Sequence, residues 1–424
     1  MSTTCVSPTN PAVKVVSLSK AEHRLNVPEA RDAILTNIKP VAGREMLPLD
    51  GLVCGRVTER PIWSPASLPR HDLSAMDGYA LAHAGLDASN KYEIIGESAA
   101  GKPHIGAVGS GEAVRIFTGA ILPKGTDSVV IQEDCAVADN ILTIDEASRP
   151  PLGHCVRKSG LDVAKNELLI DAGIAMTTRH LALCLAADIQ EIEVYAKPNL
   201  TILASGDELR RQGEKLEHGQ IYDSTSMPLM MMARSWGANA YSGPVMRDDP
   251  DVIATQISDA GDSDLLVTIG GASVGDHDHM NDVLLGLGYD STFWKINMRP
   301  GKPLMFATHP SLPPILALPG NPVSAMVCAM LFLRPAIEQL CGKTTPYNPI
   351  FFDGILAHDL PAGSAREDYM RATMRATDLG VEITPAPTQD SSMLKVFADC
   401  HCLLVRPPGD APCLAGERVK FLPI

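Results

Sequence analysis

The sequence lacks any run of basic residues: 36 lysines and arginines are scattered among 50 acidic side chains, for a net charge of -14. A dense positive surface of the kind that nucleic acid requires is therefore not expected, and no nucleic-acid partner is predicted. The ten cysteines, at 5, 54, 135, 155, 184, 328, 341, 400, 402 and 413, form no CxxC pair and fall short of disulfide-scaffold density. They point to a reducing compartment. No signal-peptide core opens the sequence, and the longest apolar run, near Val323 to Leu333, is shorter than the ~20 residues a bilayer needs. The expectation is a soluble, cytoplasmic protein with no membrane partner. Internal repeats and low-complexity segments are also missing.

What is present is ordinary globular material, 424 residues with 45% hydrophobic and 20% charged side chains, enough for several domains. A helix is predicted near 28–38, with Pro28 in its first turn. Short apolar runs punctuated by Gly and Pro, such as Tyr92–Ile95, Ala113–Phe117 and Ser128–Ile131, mark residues 51–155 as a β-rich domain. A second helix around Thr178 to Ala187, with Thr177 or Thr178 as N-cap, is expected to rejoin the first. Residues 11–50 and 156–196 would then form one discontinuous helical domain.

From 197 to 345 buried-looking strands at Leu200–Ala204, Leu265–Ile269 and Ile315–Leu318 alternate with helical stretches, an α/β pattern with a parallel sheet. Helix starts are predicted at Asp223/Ser224, at Asp249-Pro250 and at Asn321-Pro322. Residues 346–424 return to short strands, including Cys400–Arg406 and Arg418–Leu422, and read as a small β-barrel or sandwich.

Three strand ends of the α/β region run into unusual loops: Ser205-Gly206-Asp207-Glu208-Leu209, Gly270-Gly271-Ala272-Ser273-Val274-Gly275-Asp276 and Leu318-Pro319-Gly320-Asn321-Pro322. In a parallel sheet such loops gather on one edge, where ligands bind. Glycines let backbone N–H groups approach an anion, and the helix opened by Asn321-Pro322 adds further donors. Lys295 and Lys302 stand out against the acidic background as an anion-neutralising pair. Asp207, Glu208, Asp276 and Asp278, with Asp264 heading a strand, fit magnesium beside a phosphate. His277 and His279 share a face but find no third or fourth ligand for a transition metal. Cys400, Cys402 and Leu404 read better as the buried face of a strand than as a metal site.

Two further stretches, Ser74-Ala75-Met76-Asp77-Gly78-Tyr79-Ala80 and Ile116-Phe117-Thr118-Gly119-Ala120, resist a purely structural reading. Together with Ser205-Gly206-Asp207-Glu208-Leu209, Gly270-Gly271-Ala272-Ser273-Val274-Gly275, Pro300-Gly301-Lys302-Pro303 and Leu318-Pro319-Gly320-Asn321-Pro322-Val323-Ser324-Ala325, they make the chain resemble the molybdopterin molybdenumtransferase family, the MoeA proteins and the gephyrin E domain. The likeness runs in order from about Pro28 to the C-terminus.

The resemblance implies a homodimer of four-domain subunits that inserts molybdate into adenylylated molybdopterin, with magnesium-dependent release of AMP. It implies catalytic roles for Asp77, Thr118, Asp162, Glu208, Asp264, Asp278, Lys295 and Lys302, with Asp77 and Thr118 supplied across a dimer cleft. Substrate contacts would come from Ser205, Gly206, Asp207, Gly270, Gly271, Ser273, Pro319, Gly320, Asn321, Pro322, Arg371 and Ser391. Magnesium would rest on Asp207, Glu208 and Asp278. Docking with a molybdopterin adenylyltransferase and with recipient molybdoenzymes belongs to the same expectation.

The chain departs from the family pattern at Ser205, where Thr is usual, and at Thr225 and Leu73, where Asn is usual. Two alternative readings stand beside the insertase. A molybdopterin adenylyltransferase resembles the α/β region alone, and a non-catalytic carrier or scaffold would bind the pterin without turnover.

Overall fold

The computed structural model describes residues 24–86, 89–271 and 279–424. Its centre is a six-stranded sheet ordered Asn239–Ser242, Asn199–Ala204, Leu265–Ile269, Ile315–Leu318, Met305–Thr308, Asp290–Trp294. The first four strands are parallel, three of them predicted from their apolar runs, with Asn239–Ser242 added at the edge, and every residue of Leu265–Ile269 and Ile315–Leu318 is buried. Met305–Thr308 runs antiparallel to both neighbours, so the sheet is mixed at one side. Its link to Ile315–Leu318 is too short for a helical crossover, which a parallel pairing would need.

Helices start where the capping chemistry predicts. Asp249 accepts from the amides of Asp251 and Val252 to open Pro250–Asp259, and Asp223 Oδ1 accepts from Thr225 and Ser226 ahead of Ser226–Ser235. The helix beginning at Pro322 runs to Leu340 but is not uniform: Ala329–Leu333 forms a wider π turn between Pro322–Cys328 and Arg334–Leu340. This 19-residue helix is apolar and long enough to cross a membrane, yet 83% of its apolar window is buried inside the protein. It is a core helix.

Asn26 and Glu29 form a reciprocal capping box on the N-terminal helix Val27–Asn37. Its buried face, Val27, Ala30 and Ile34, joins the core of the α/β region, where the helix contacts the Ala329–Leu333 and Arg334–Leu340 stretches of the long helix. That placement differs from the expectation that this helix belongs with Thr178–Ala186. The physical reason is the position of its apolar stripe, which is buried in the core of the α/β region. What does bring the two chain segments together is an antiparallel pairing of Arg44–Pro48 with Glu191–Tyr195. Around that pairing lies a small core of Val53, Ile170, Met176 and Cys184.

A second six-stranded sheet fills the β-rich region, ordered Ser128–Ile131, Gly78–Leu81, Glu112–Ile116, Lys91–Ser98, Ile141–Ile144, Cys135–Ala138. In the C-terminal region, Glu367–Thr377, Gly380–Pro385, Phe352–Leu356, Arg418–Pro423 and Cys402–Arg406 close into a five-strand barrel, since the last pairs back with the first. Closure leaves no exposed edge within the ring. Cys402 and Leu404 point into the barrel core, as the alternation predicts, while Cys400 lies before the strand, after the short helix Leu394–Asp399. Met298–Arg299 pairs in parallel with Glu367–Asp368, fastening the barrel to the α/β region beside the cleft described next.

Candidate functional site

At the carboxyl ends of the three central parallel strands the chain turns through Ser205, Gly270 and Pro319, and the turns touch. The amide of Ser205 donates to Ile269 O at 2.9 Å and that of Gly270 to Leu318 O at 3.0 Å. Gly270 has φ +84°, and a Cβ there would lie 2.9 Å from the Ser205 carbonyl oxygen. Only glycine lets the loops approach this closely. A Cβ on Gly206 would come within 2.5 Å of Glu208 Oε2, so the Glu208 carboxylate folds back over bare backbone.

These loops floor a cleft of about 990 Å³. Its wall carries Ser205, Gly206, Glu208, Gly270, Gly271, Lys302, Pro319, Gly320, Asn321, Pro322 and Ser391, all predicted from sequence. The barrel supplies the far side through Arg366 and the segment Gln389 to Ser392. Cations on the wall are Lys302, Arg299 and Arg366; carboxylates are Glu208, Asp223, Asp248 and Asp390. Pro300, Gly301 and Pro303 hold Lys302 in its turn, and a Cβ on Gly301 would meet Cys328 Sγ at 2.5 Å.

The helix start at Asn321 differs from expectation. Its amide side chain does not cap the helix but donates through Nδ2 to Ser391 Oγ at 2.7 Å, and the Val323 amide donates to Ser391 O at 3.2 Å. One backbone donor expected to face an anion is thus already engaged by the barrel, and the same contact brings Ser391 to the wall.

Asp264 is not in the cleft. It precedes the strand Leu265–Ile269, so about 16 Å of strand separates it from the Gly270 edge. There its Oδ2 accepts from the Asn199 amide at 2.7 Å, tying the amino ends of two neighbouring strands. The acidic side chain that does reach the cleft is Asp248, whose Oδ1 accepts from Ser205 Oγ at 3.0 Å. Asp207 is exposed beside it, and its Oδ1 accepts from the Asp248 amide at 3.4 Å rather than lining the wall. In sequence, Asp248 sits in Arg247-Asp248-Asp249-Pro250, where the helix cap at Asp249 masks it.

Arg371 is 1% exposed and does not line the cleft. It works from behind: an Nη donates to Asp390 O at 2.9 Å, and its backbone and the Gln389 side chain exchange bonds of 2.9 and 3.0 Å. It buttresses the Gln389 to Ser392 segment instead of contacting an oxyanion. Ser392, through its hydroxyl and then its amide, holds the Asp390 carboxyl below its usual range.

Lys295 also stands outside the wall, with Nζ 3.8 Å from the centre of the Trp294 ring. Desolvation pushes its ammonium below the ordinary lysine value, and the charges of Lys302 and Arg24 push the same way. Ser273 and Asp278, with Asp276 and His277, lie outside the described residues.

Asp77, Thr118 and Asp162 belong to other parts of the chain and do not line this cleft. Asp77 Oδ1 accepts from the Thr118 amide at 2.7 Å and from Thr118 Oγ1 at 2.8 Å. The amide bond first and the hydroxyl second hold its carboxyl below 3.8. A depressed carboxylate favours the folded loop above the unfolded value, and that contribution is lost as pH falls through the folded one. In Thr118→Val the Asp77 titration midpoint, followed by carboxyl NMR, should move up toward 3.8; a midpoint unchanged from wild type would show that the hydroxyl does not matter. Asp162 is exposed. Of the two positions where the family has Asn, Thr225 is buried on the cleft wall, while Leu73 is half-buried in a strand pair with Arg157.

Comparison with known proteins gives a consistent picture. Three family models match: the MoeA N-terminal region (domain I and II) over residues 25–187, a probable molybdopterin binding domain over 201–339, and the MoeA C-terminal region (domain IV) over 353–424. A molybdopterin molybdenumtransferase of Nostoc sp. is 33% identical over 378 residues, covering 87% of this chain and 86% of its own. One from Haemophilus influenzae is 31% identical over 402 residues, covering 94% and 98%. Among solved structures, the molybdopterin biosynthesis moea protein from Pyrococcus horikosii superposes with a TM-score of 0.78 at 25% identity, covering 95% of this chain and 99% of its own.

Proposed function

Because this chain belongs to the MoeA family of molybdopterin molybdenumtransferases, enzymes of molybdenum cofactor biosynthesis, we propose that its cleft inserts molybdate into adenylylated molybdopterin and releases AMP. The observation that carries the proposal is the meeting of opposite charges at one sheet edge. Lys302, Arg299 and Arg366 face Glu208 and Asp248 across glycine turns, from both the α/β region and the barrel. The cations and backbone donors suit a phosphoanhydride and a molybdate dianion, whose charge they hold in a partly dehydrated space. Ser205, fixed by its bond to Asp248, presents its oxygen at the floor.

The carboxylates fit magnesium, which keeps several waters and takes one or two protein carboxylates along with substrate oxygens. Glu208 and Asp248 are such a pair, with Asp207 adjacent, and no cluster of three His, Cys, Asp or Glu donors close enough to hold a metal occurs among the described residues. Bound there, magnesium would neutralise charge on the phosphoanhydride oxygens. Asp278 extends the set in the proposal.

Asp77 and Thr118 lie away from their own chain's cleft, and this supports a homodimer in which a partner subunit brings the pair to the site. The nine described cysteines are all free thiols, in keeping with a cytoplasmic location.

The test is AMP release from adenylylated molybdopterin with molybdate and magnesium, followed by chromatography. Molybdate-dependent release supports the insertase. Binding without turnover would make the chain a carrier, and release that ignores molybdate would sink the proposal. Within that assay Asp248→Asn should lower kcat/KM roughly tenfold, since a charged hydrogen bond at the floor is lost. Asp264→Asn should keep its rate and lose about 1 kcal/mol of stability in a urea titration. The reverse pattern would return Asp264 to the catalytic set.

A further inference from the structure

The cleft wall mixes charged and hydroxylic groups with prolines and with the aliphatic side chains of Ala204, Ile269 and Leu394. Leu209, Ile221 and Tyr222 form an apolar shelf, and Tyr222 is the only Phe, Tyr or Trp on the wall among the described residues. Ile221 is 55% exposed and Tyr222 43% exposed. Their backbone is well held. Leu209–Arg210 pairs with Ile221–Tyr222, the Ile221 amide donates to Glu208 O at 2.9 Å, and the Asp223 amide donates to Arg210 O at 2.8 Å. The phenol is held too, since Tyr222 Oη donates to Glu214 O at 3.1 Å. A ring anchored at its hydroxyl, with much of its surface open to the cleft, has little rotamer freedom left to lose when a planar ligand covers it.

We infer that Tyr222 stacks on the flat bicyclic heteroaromatic ring of the substrate, pterin or adenine, and thereby sets the orientation in which the phosphates reach the cationic turn. This rests on the insertase reading, whose substrate joins uncharged rings to a highly charged phosphate link. The wall offers both kinds of contact: the Tyr222 ring with Leu209 and Ile221, and cationic side chains at Lys302 and Arg366. Stacking on an aromatic side chain tolerates different ring edges, so the same shelf suits either base. Which of the two it receives is decided by separate ligands.

The experiment measures equilibrium binding of molybdopterin, which carries only the pterin, and of AMP, which carries only the adenine, to the full-length protein. Wild type is compared with Tyr222→Ala, Tyr222→Phe and Tyr222→Leu. The ligand whose ring occupies the shelf should bind Tyr222→Ala about tenfold more weakly, and Tyr222→Phe within about twofold of wild type. Tyr222→Leu, apolar but not aromatic, should behave like the alanine variant. Molybdate affinity, which involves no ring, should stay unchanged in all three. Equal binding of both ligands by wild type and Tyr222→Ala would overturn the inference while leaving the insertase reading intact. So would a parallel loss of molybdate affinity, because the strand pair itself would then have shifted. A wild type that binds neither ligand would remove the insertase reading and this inference with it.

Discussion

Lys302→Ala should slow molybdate-dependent AMP release by on the order of 10²- to 10³-fold in kcat/KM, the usual loss when one preorganised charge facing a developing anion is removed. The size follows from placement. Lys302 is half-buried on the cleft wall, in a turn that cannot shift easily. Its carbonyl accepts from the Ile296 amide at 3.0 Å, and Gly301 at φ +117° packs onto the long helix at Cys328. Around it stand Glu208, Asp223, Asp248 and Asp390, so its loss leaves the wall dominated by negative charge that repels a dianion. Arg299 and Arg366 remain, but Arg299 is exposed and more screened by solvent.

Lys302→Arg keeps the charge while changing shape and should recover part of the rate. The alanine variant should also let Lys295 bind its proton more tightly, because one of the charges pushing its ammonium value down is gone. A loss of less than about threefold would place the anion elsewhere in the cleft.

Glu338→Ala is expected to cost about 3 kcal/mol of stability, at the low end for removal of one partner from a buried ionic cluster. The buried Glu338 carboxylate accepts from Lys343 Nζ at 2.9 Å, Arg334 Nε at 3.3 Å and the Tyr347 amide at 2.6 Å. It therefore knots the end of the core helix to the segment that leads into the barrel. Without it the Tyr347 amide loses its acceptor and two cations lose their counter-charge. Lys343 and Arg334 keep partial water contact, 25% and 36% exposed, which holds the cost below that of a fully enclosed pair. The apparent melting temperature should fall by roughly 5–10 °C. Glu338→Gln, still able to accept from the amide, should lie between. A fall within 2 °C of zero, an outcome set by the ~2–4 °C per kcal/mol of a domain this size, would mean that solvent replaces the cluster freely.

The elements and the loops between them were legible because their signals are local. A run such as Leu265–Ile269 is apolar at every position and can only be a strand covered on both faces. Asp249-Pro250 and Pro28 mark helix starts through residues at the helix's own first turn. Glycine at 270 is needed by a backbone approach that no other residue permits. For the same reason most of the cleft floor could be named in advance: strand ends of one parallel sheet must share an edge.

What the tertiary structure alone decided is which charged side chains face that edge. Asp264 and Asp248 look alike in sequence, one before a strand and one before a helix cap, and only sheet assembly puts the first at the amino edge and the second beside Ser205. Arg371 carries no local sign that the barrel will enclose it, nor Arg366, Gln389 and Asp390 that barrel closure and the Met298–Arg299 pairing will carry them to the far wall. Local patterns report which faces must be buried. The direction of a polar side chain depends on contacts between distant segments, such as Asn321 and Ser391, 70 residues apart, and those exist only once the sheet and barrel have closed on each other.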